Sequence, residues 1–233
     1  MKYNNWKVAT CLILISIFFS YLMVYFFIDW DDFNNLKVIE YSDKKLVSDN
    51  YEVDILVNER FHAHNTSLRT KKIKYIVIHY TGTTSGAKKI VKNYNNLSSI
   101  DASADFFIDQ HGTIIQYNPD IDERYSWAVA GNKRNNMGGS LHNIVTNENS
   151  VSIEMCVWNY GELEANSKDW ILTDYTLNST IRVVKYLMDK YDIPLKNVVR
   201  HYDVSGKLCP GIVGWNEDSG SNDNWKLFLS KLE

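Results

Sequence analysis

His79, His201 and Cys209 are the side chains best suited to bind a metal ion: two imidazoles and a thiol. His79 lies near the end of an apolar run, Ile73 to Tyr80 (IKYIVIHY). His201 opens the segment HYDVSGKLCPG, which also carries Lys207 and Cys209. Two nitrogens and one sulfur suit Zn²⁺ in a tetrahedron, and three protein ligands leave the fourth corner to water. That is the pattern of a catalytic rather than a structural site, and water so held can attack a carbonyl at neutral pH. Taken alone, three such residues scattered along a chain are more often unrelated core or surface positions than a ligand set.

The surrounding elements decide whether these residues can meet. Ile73 to Tyr80 is a continuous β-branched and aromatic run, which predicts a buried strand ending at His79 and Tyr80. Thr81 to Ser85 reads as a polar loop, and Gly86 to Leu97 as a helix with Ala87, Ile90, Val91 and Tyr94 on one side. Ser103 to Asp109, a turn at Gln110-His111-Gly112, then Thr113 to Tyr117 predict a hairpin. Ser150 to Trp158 predicts another strand, which holds Glu154. Leu177, Ile181, Val184 and Met188 recur at helical spacing within Asp174 to Tyr191, with Thr173 placed to cap it. Asn197 to His201 predicts a short strand. Strands alternating with helices point to an α/β domain, a central mixed sheet flanked by helices. The long polar stretch Gly131 to Asn149 is either a mobile flank of a substrate groove or an unstructured insertion.

Val8 to Ile28 contains no charged residue and as a helix would span about 30 Å, the thickness of a bilayer core. A cleavable signal peptide is the alternative, but its apolar region is usually shorter and no small-x-small pattern follows; the chain runs on into Asp29-Trp30-Asp31-Asp32. The expectation is an uncleaved transmembrane helix. Lys2 and Lys7 precede it, which leaves the N-terminus in the cytoplasm and the rest of the chain outside the cytoplasmic membrane. Residues 1–28 are thus read as cytoplasmic tip and anchor, 29–70 as linker and N-terminal arm, and 71–233 as the catalytic domain. The net charge of −3 gives no reason to expect a nucleic-acid partner. Three cysteines, Cys11 among them, form no disulfide framework.

Several of these segments together resemble a known family. Ile76-Val77-Ile78-His79-Tyr80-Thr81, and His201 through Lys207-x-Cys209-Pro210-Gly211, are similar to the type 2 N-acetylmuramoyl-L-alanine amidases, a family that includes phage T7-type lysozyme and the peptidoglycan recognition proteins. Ala102 to Asp109 with Gly112 to Gln116 resembles the family's second strand and hairpin, and Asn149-Ser150-Val151-Ser152-Ile153-Glu154 its N-x-x-S/G-I-E strand. The resemblance runs from about Lys72 to Leu232. It implies zinc held by His79, His201 and Cys209, Glu154 as general base, and Lys207 in the position of a catalytic lysine. It implies cleavage of the amide between N-acetylmuramic acid and L-alanine, with peptidoglycan or a muropeptide as substrate. There are departures. Ala104 stands where the phage enzyme carries a catalytic tyrosine, which shifts weight onto Glu154. Ser126-Trp127-Ala128-Val129-Ala130-Gly131 lacks the histidine of the family's Trp-His-x-Gly element.

His62 and His64 read as solvated arm residues, His111 as a turn residue and His142 as a loop residue. Asp105 and Cys156 read as packing positions. Two other readings stand beside the enzyme. A non-catalytic muropeptide-binding module is expected to lack the thiolate that Cys209 supplies, and a toxin or lysis protein would use the same chemistry for another purpose.

Overall fold

The computed structural model describes residues 41–96, 101–129 and 138–233. Val8 to Ile28 and the start of the long polar loop lie outside the described residues, so the expected anchor has no structural counterpart here. Among the described residues no helix is long and apolar enough to cross a membrane.

The strands are β1 (Tyr41–Val47), β2 (Glu52–Asn58), β3 (Thr66–Leu68), β4 (Tyr75–Tyr80), β5 (Phe106–Ile108), β6 (Ile114–Gln116), β7 (Arg124–Ser126), β8 (Ser150–Met155), β9 (Trp158–Asn159), β10 (Trp170–Ile171) and β11 (Val198–Arg200). The helices are α1 (Ala87–Asn96), α2 (Asp174–Tyr191), α3 (His201–Ser205) and α4 (Asp223–Ser230). A seven-stranded sheet runs β1-β2-β6-β5-β8-β4-β11. Its centre is parallel: β11 with β4, β4 with β8, and β8 with β5. The β5–β6 and β1–β2 pairs are antiparallel, so the sheet is mixed, as the alternation of elements predicts.

The two faces are covered differently. Ile76, Ile78, Phe106, Ile108, Val151 and Ile153 point to one face, where Val183, Val184 and Leu187 of α2 and Trp225 and Phe228 of α4 pack on them. Their neighbours in sequence point to the other face. There Phe107 and Ile115 meet Ala87, Ile90 and Val91 of α1, while Val77 and Val199 meet Val129, Val145 and Val204. His79 and Glu154 belong to this second face.

Residues 41–47, read from sequence as linker, form a strand of the sheet. Their polar pattern is that of an edge strand: Asp43, Lys44 and Lys45 are exposed. The arm reading of 51–58 becomes β2, which buries Val53, Ile55 and Val57 and pairs in parallel with β6. The late strand is also shorter than expected. It stops at Arg200, because the Asp203 carboxylate accepts a hydrogen bond from the Arg200 backbone N–H at 2.8 Å and starts a helix there. His201 is therefore the first residue of α3 rather than the last of β11. The strand expected from Ser150 to Trp158 ends at Met155, and Trp158 pairs with Ile171 in a separate two-stranded ladder. Thr173 caps α2 as predicted, accepting from Thr176 N–H at 3.1 Å.

Candidate metal centre and active-site cleft

The sheet brings the chemistry together through register. His79 on β4 stands opposite Glu154 on β8, and Glu154 opposite Phe107 on β5. Parallel partners share a face, so the imidazole and the carboxylate emerge side by side at the carboxyl ends of their strands. His201 arrives at the start of α3, directly after β11, the strand on the other flank of β4. Cys209 comes from the segment after α3, fastened by Tyr202 N–H donating to the Cys209 carbonyl at 2.8 Å.

One ligand-capable atom each from His79, His201 and Cys209 lies within 4.8 Å of the others, and all three residues are buried. His79 Nδ1 is 3.9 Å from Cys209 Sγ, against about 3.6 Å between two corners of a zinc tetrahedron. The two imidazole rings are 4.6 Å apart between centroids. Glu154 Oε1 lies 4.0 Å from His79 Nδ1. His79 Nε2, His201 Nε2 and Glu154 Oε2 are buried and make no hydrogen bond within the protein. Buried polar atoms without partners are costly, and two imidazoles gathered beside a thiol are the donor chemistry of a divalent metal site.

Electrostatics point the same way. Burial holds His79 well below the ordinary histidine range, with the charges of His201 and Lys207 adding to it. Burial, with Lys207 second, brings His201 down to about 4. Both imidazoles are therefore neutral at pH 7, the form that ligates metal. Burial pushes the Cys209 thiol up to about 12, with Glu154 adding, and the Glu154 carboxyl up to about 8, opposed by Lys207. A bound dication is the kind of charge that would reverse both upward shifts. Lys207 is itself exposed, yet its charge registers at His79, His201, Cys209 and Glu154.

Beside Glu154 lies a cleft of about 260 Å³. Thr81, Thr83 and Ser85 line it from the loop after β4, Asn93 and Tyr94 from α1, and Phe107 from β5. The hairpin between β5 and β6 fixes this geometry. Asp109 accepts from the Ala87 N–H at 3.0 Å and caps α1, while the buried Gln110 donates to the Thr84 and Val157 carbonyls at 3.2 and 3.1 Å.

A family model described as N-acetylmuramoyl-L-alanine amidase matches residues 69–212, well over half of the chain. The chain belongs to that family. Among amidase relatives, the N-acetylmuramoyl-L-alanine amidase CwlL of Bacillus licheniformis is 30% identical over 170 residues, covering 71% of this chain and 43% of its own length. The amidase BlyA of Bacillus subtilis is 28% identical over 152 residues, 61% of this chain and 38% of that protein. This chain thus spans less than half the length of the curated amidases it matches. Among solved structures, PlyL is 27% identical with a TM-score of 0.50, over 71% of this chain and 86% of that one. The catalytic domain of XlyA shares the fold, with a TM-score of 0.54 at 23% identity, over 78% of this chain and all of that one.

Other residues weighed from sequence fall outside the cluster. The Asp105 carboxylate is taken up by Ser152 N–H, Asn118 Nδ2 and Ser126 Oγ at 2.8, 2.9 and 2.8 Å, so it braces strands. Cys156 is buried with Ala87, Ile90 and Phe107. Tyr80 packs edge-on against Trp170 and donates to the Ala165 carbonyl. Exposed His111 lies against Trp158, His62 and His64 are exposed, and His142 sits in its loop. The cleft residues Thr83, Asn93 and Tyr94 were not singled out from sequence. Tyr94 falls on the helical stripe that reads as core, and no motif separates a cleft aromatic from a packed one.

Proposed function

We propose that this chain is a zinc-dependent hydrolase that cleaves the amide bond between N-acetylmuramic acid and L-alanine in peptidoglycan or muropeptides, with His79, His201 and Cys209 as metal ligands. The observation that carries this reading is the buried trio within 4.8 Å, with Glu154, which lines the neighbouring cleft, 4.0 Å from His79. Family membership supports the bond cleaved. A zinc ion held there would polarise the lactyl carbonyl and acidify a water molecule. Glu154 takes a proton from the attacking water and returns it to the alanine nitrogen as the C–N bond breaks, which matters because an amide nitrogen leaves poorly without a proton. Lys207 supplies positive charge toward the carbonyl oxygen as that oxygen gains negative charge. The products are the lactyl carboxylic acid and a free peptide stem. The retained thiol favours this enzyme over a module that only binds muropeptides.

The deciding experiment is mass spectrometry of digested sacculi. Peptide stems beginning with alanine beside intact glycan strands are expected, and cleavage at any other bond would sink the assignment. Purified protein is expected to hold about one zinc per chain, most of it lost in Cys209→Ser. Full zinc retention in that variant would remove Cys209 from the ligand set.

Val8 to Ile28 we read as an anchor that places the catalytic domain outside the cytoplasmic membrane. Protease added to intact spheroplasts should then digest the domain while the protein stays in the membrane fraction. A chain recovered in the soluble fraction would overturn the anchor.

A further inference from the structure

The family match begins at residue 69, yet the sheet begins with β1 and β2, residues 41–58. This arm is tied to the cleft. Asn58 closes β2 and is fully buried. Its Nδ2 donates to Asn95 Oδ1 at 3.0 Å, and Asn95 Nδ2 donates back to Asn58 Oδ1 at 2.9 Å. Asn58 Nδ2 also reaches the Tyr117 carbonyl at 3.4 Å. Reciprocal amide bonds in a dry interior are directional, and leaving either partner unpaired is costly. The pair therefore sets the last turn of α1, whose first turn is already held by Asp109.

The residue before Asn95 is Tyr94, which lines the cleft together with Glu154. Its ring is held edge-on by Phe107 and Tyr117 at centroid distances of 5.6 and 5.8 Å. Phe61, just after the arm, packs edge-on against the other partner of this group, Tyr117, at 5.5 Å. Burial first, then the Glu154 charge, keeps the Tyr94 phenol above its ordinary range, so it stays a protonated donor. The peptide stem of a muropeptide offers carbonyl and carboxylate acceptors along its length.

We propose that Tyr94 contacts the substrate as a hydrogen-bond donor in this cleft, and that Asn58 and Asn95 are positioning residues that hold it there, making the N-terminal arm a working part of the site. The proposal rests on the amidase reading and names a contact beyond the metal ligands and Glu154.

The test uses the full-length chain with a soluble N-acetylmuramoyl-pentapeptide. Tyr94→Phe, which removes one oxygen, is expected to raise KM about five- to tenfold, the worth of one lost hydrogen bond, with kcat within twofold and zinc content unchanged. Asn58→Ala is expected to raise KM by a similar factor and to speed hydrogen exchange at residues 93–96. The double variant should be little worse than either single one, because both act through one contact. A KM for Tyr94→Phe within twofold of wild type overturns the contact. Multiplying effects in the double variant, or exchange unchanged by Asn58→Ala, overturns the positioning role, since a merely structural asparagine would lower thermal stability without coupling to Tyr94. If Asn58→Ala does not fold, Tyr94→Phe alone still decides the contact. A wild-type chain that leaves the muropeptide intact overturns the amidase reading, and the exchange measurement then judges the arm by itself.

Discussion

Glu154 is burdened by its own position. Its carboxyl is pushed up to about 8 by burial, above the ordinary 4.5, so in the metal-free chain the native state holds a proton that the unfolded state releases. Stability of metal-free protein should therefore fall as pH rises from about 4.5 to 8. Glu154→Gln should raise its Tm above that of wild type at pH 8.5 and leave it unchanged near pH 4; equal melting at both would refute the buried-charge account. The same substitution is expected to cost about 10²- to 10⁴-fold in activity with zinc retained. His201 acts in the opposite sense. Its folded value of about 4 lies below the ordinary 6.5, so the stability it contributes is present above pH 6.5 and lost as pH falls through 4. Metal-free melting curves between pH 7 and 4 check this, and His201→Ala should flatten that limb. The ligand-type residues were legible in sequence because each sits in a distinctive run. Tyr94 was not, since its helical spacing is the same whether it faces a core or a cleft.

At the scale of elements, α3 is the part the sequence concealed. Five residues show no helical period, so His201 read as a strand end. What starts the helix is an ion pair: Arg200 Nε donates to Asp203 Oδ2 at 2.9 Å, and its Nη1 donates to the Trp215 carbonyl at 2.7 Å and to Asn222 Oδ1 at 2.6 Å. The guanidinium also lies over the Trp225 ring at 5.2 Å. Asp203→Ala should leave this largely buried cation short of its partner and cost about 3 kcal/mol. Because His201 rides on the same turn, zinc affinity should fall with it; urea unfolding and competitive zinc titration read the two effects separately. Zinc affinity unchanged in that variant would mean that α3 does not orient its ligand. The second half of the long polar stretch is bound to the same helix. Leu141 N–H donates to the Asp203 carbonyl at 2.8 Å, and a Cβ on Gly139 would come within 2.4 Å of the Val204 carbonyl. The described part of that stretch, residues 138–149, is thus docked rather than floppy.

For the molecule as a whole, strands β4, β8 and β11 were readable from apolar runs, while β1 and β2 at the opposite edge were not. β1 is polar because one face and one edge meet water, so its pattern is that of a linker. β2 carries the cost of that misreading: Val53, Ile55 and Val57 are all buried, and each is worth roughly 1.5–3 kcal/mol. Their sum rivals the whole net stability of an ordinary domain. A chain begun at residue 69, where the family match starts, should therefore fail to fold cooperatively, exposing β6 and binding a hydrophobic dye; a sharp melting transition in that fragment would contradict the arm's structural weight. The spread of the metal-capable trio along the chain carries a different consequence. Positions 79, 201 and 209 must all be present before the cluster exists. A polypeptide still emerging from the ribosome has its first imidazole long before its sulfur. Synthesis can therefore run past position 201 with the proposed ligand set still incomplete, and the site we propose can assemble only once Cys209 has emerged.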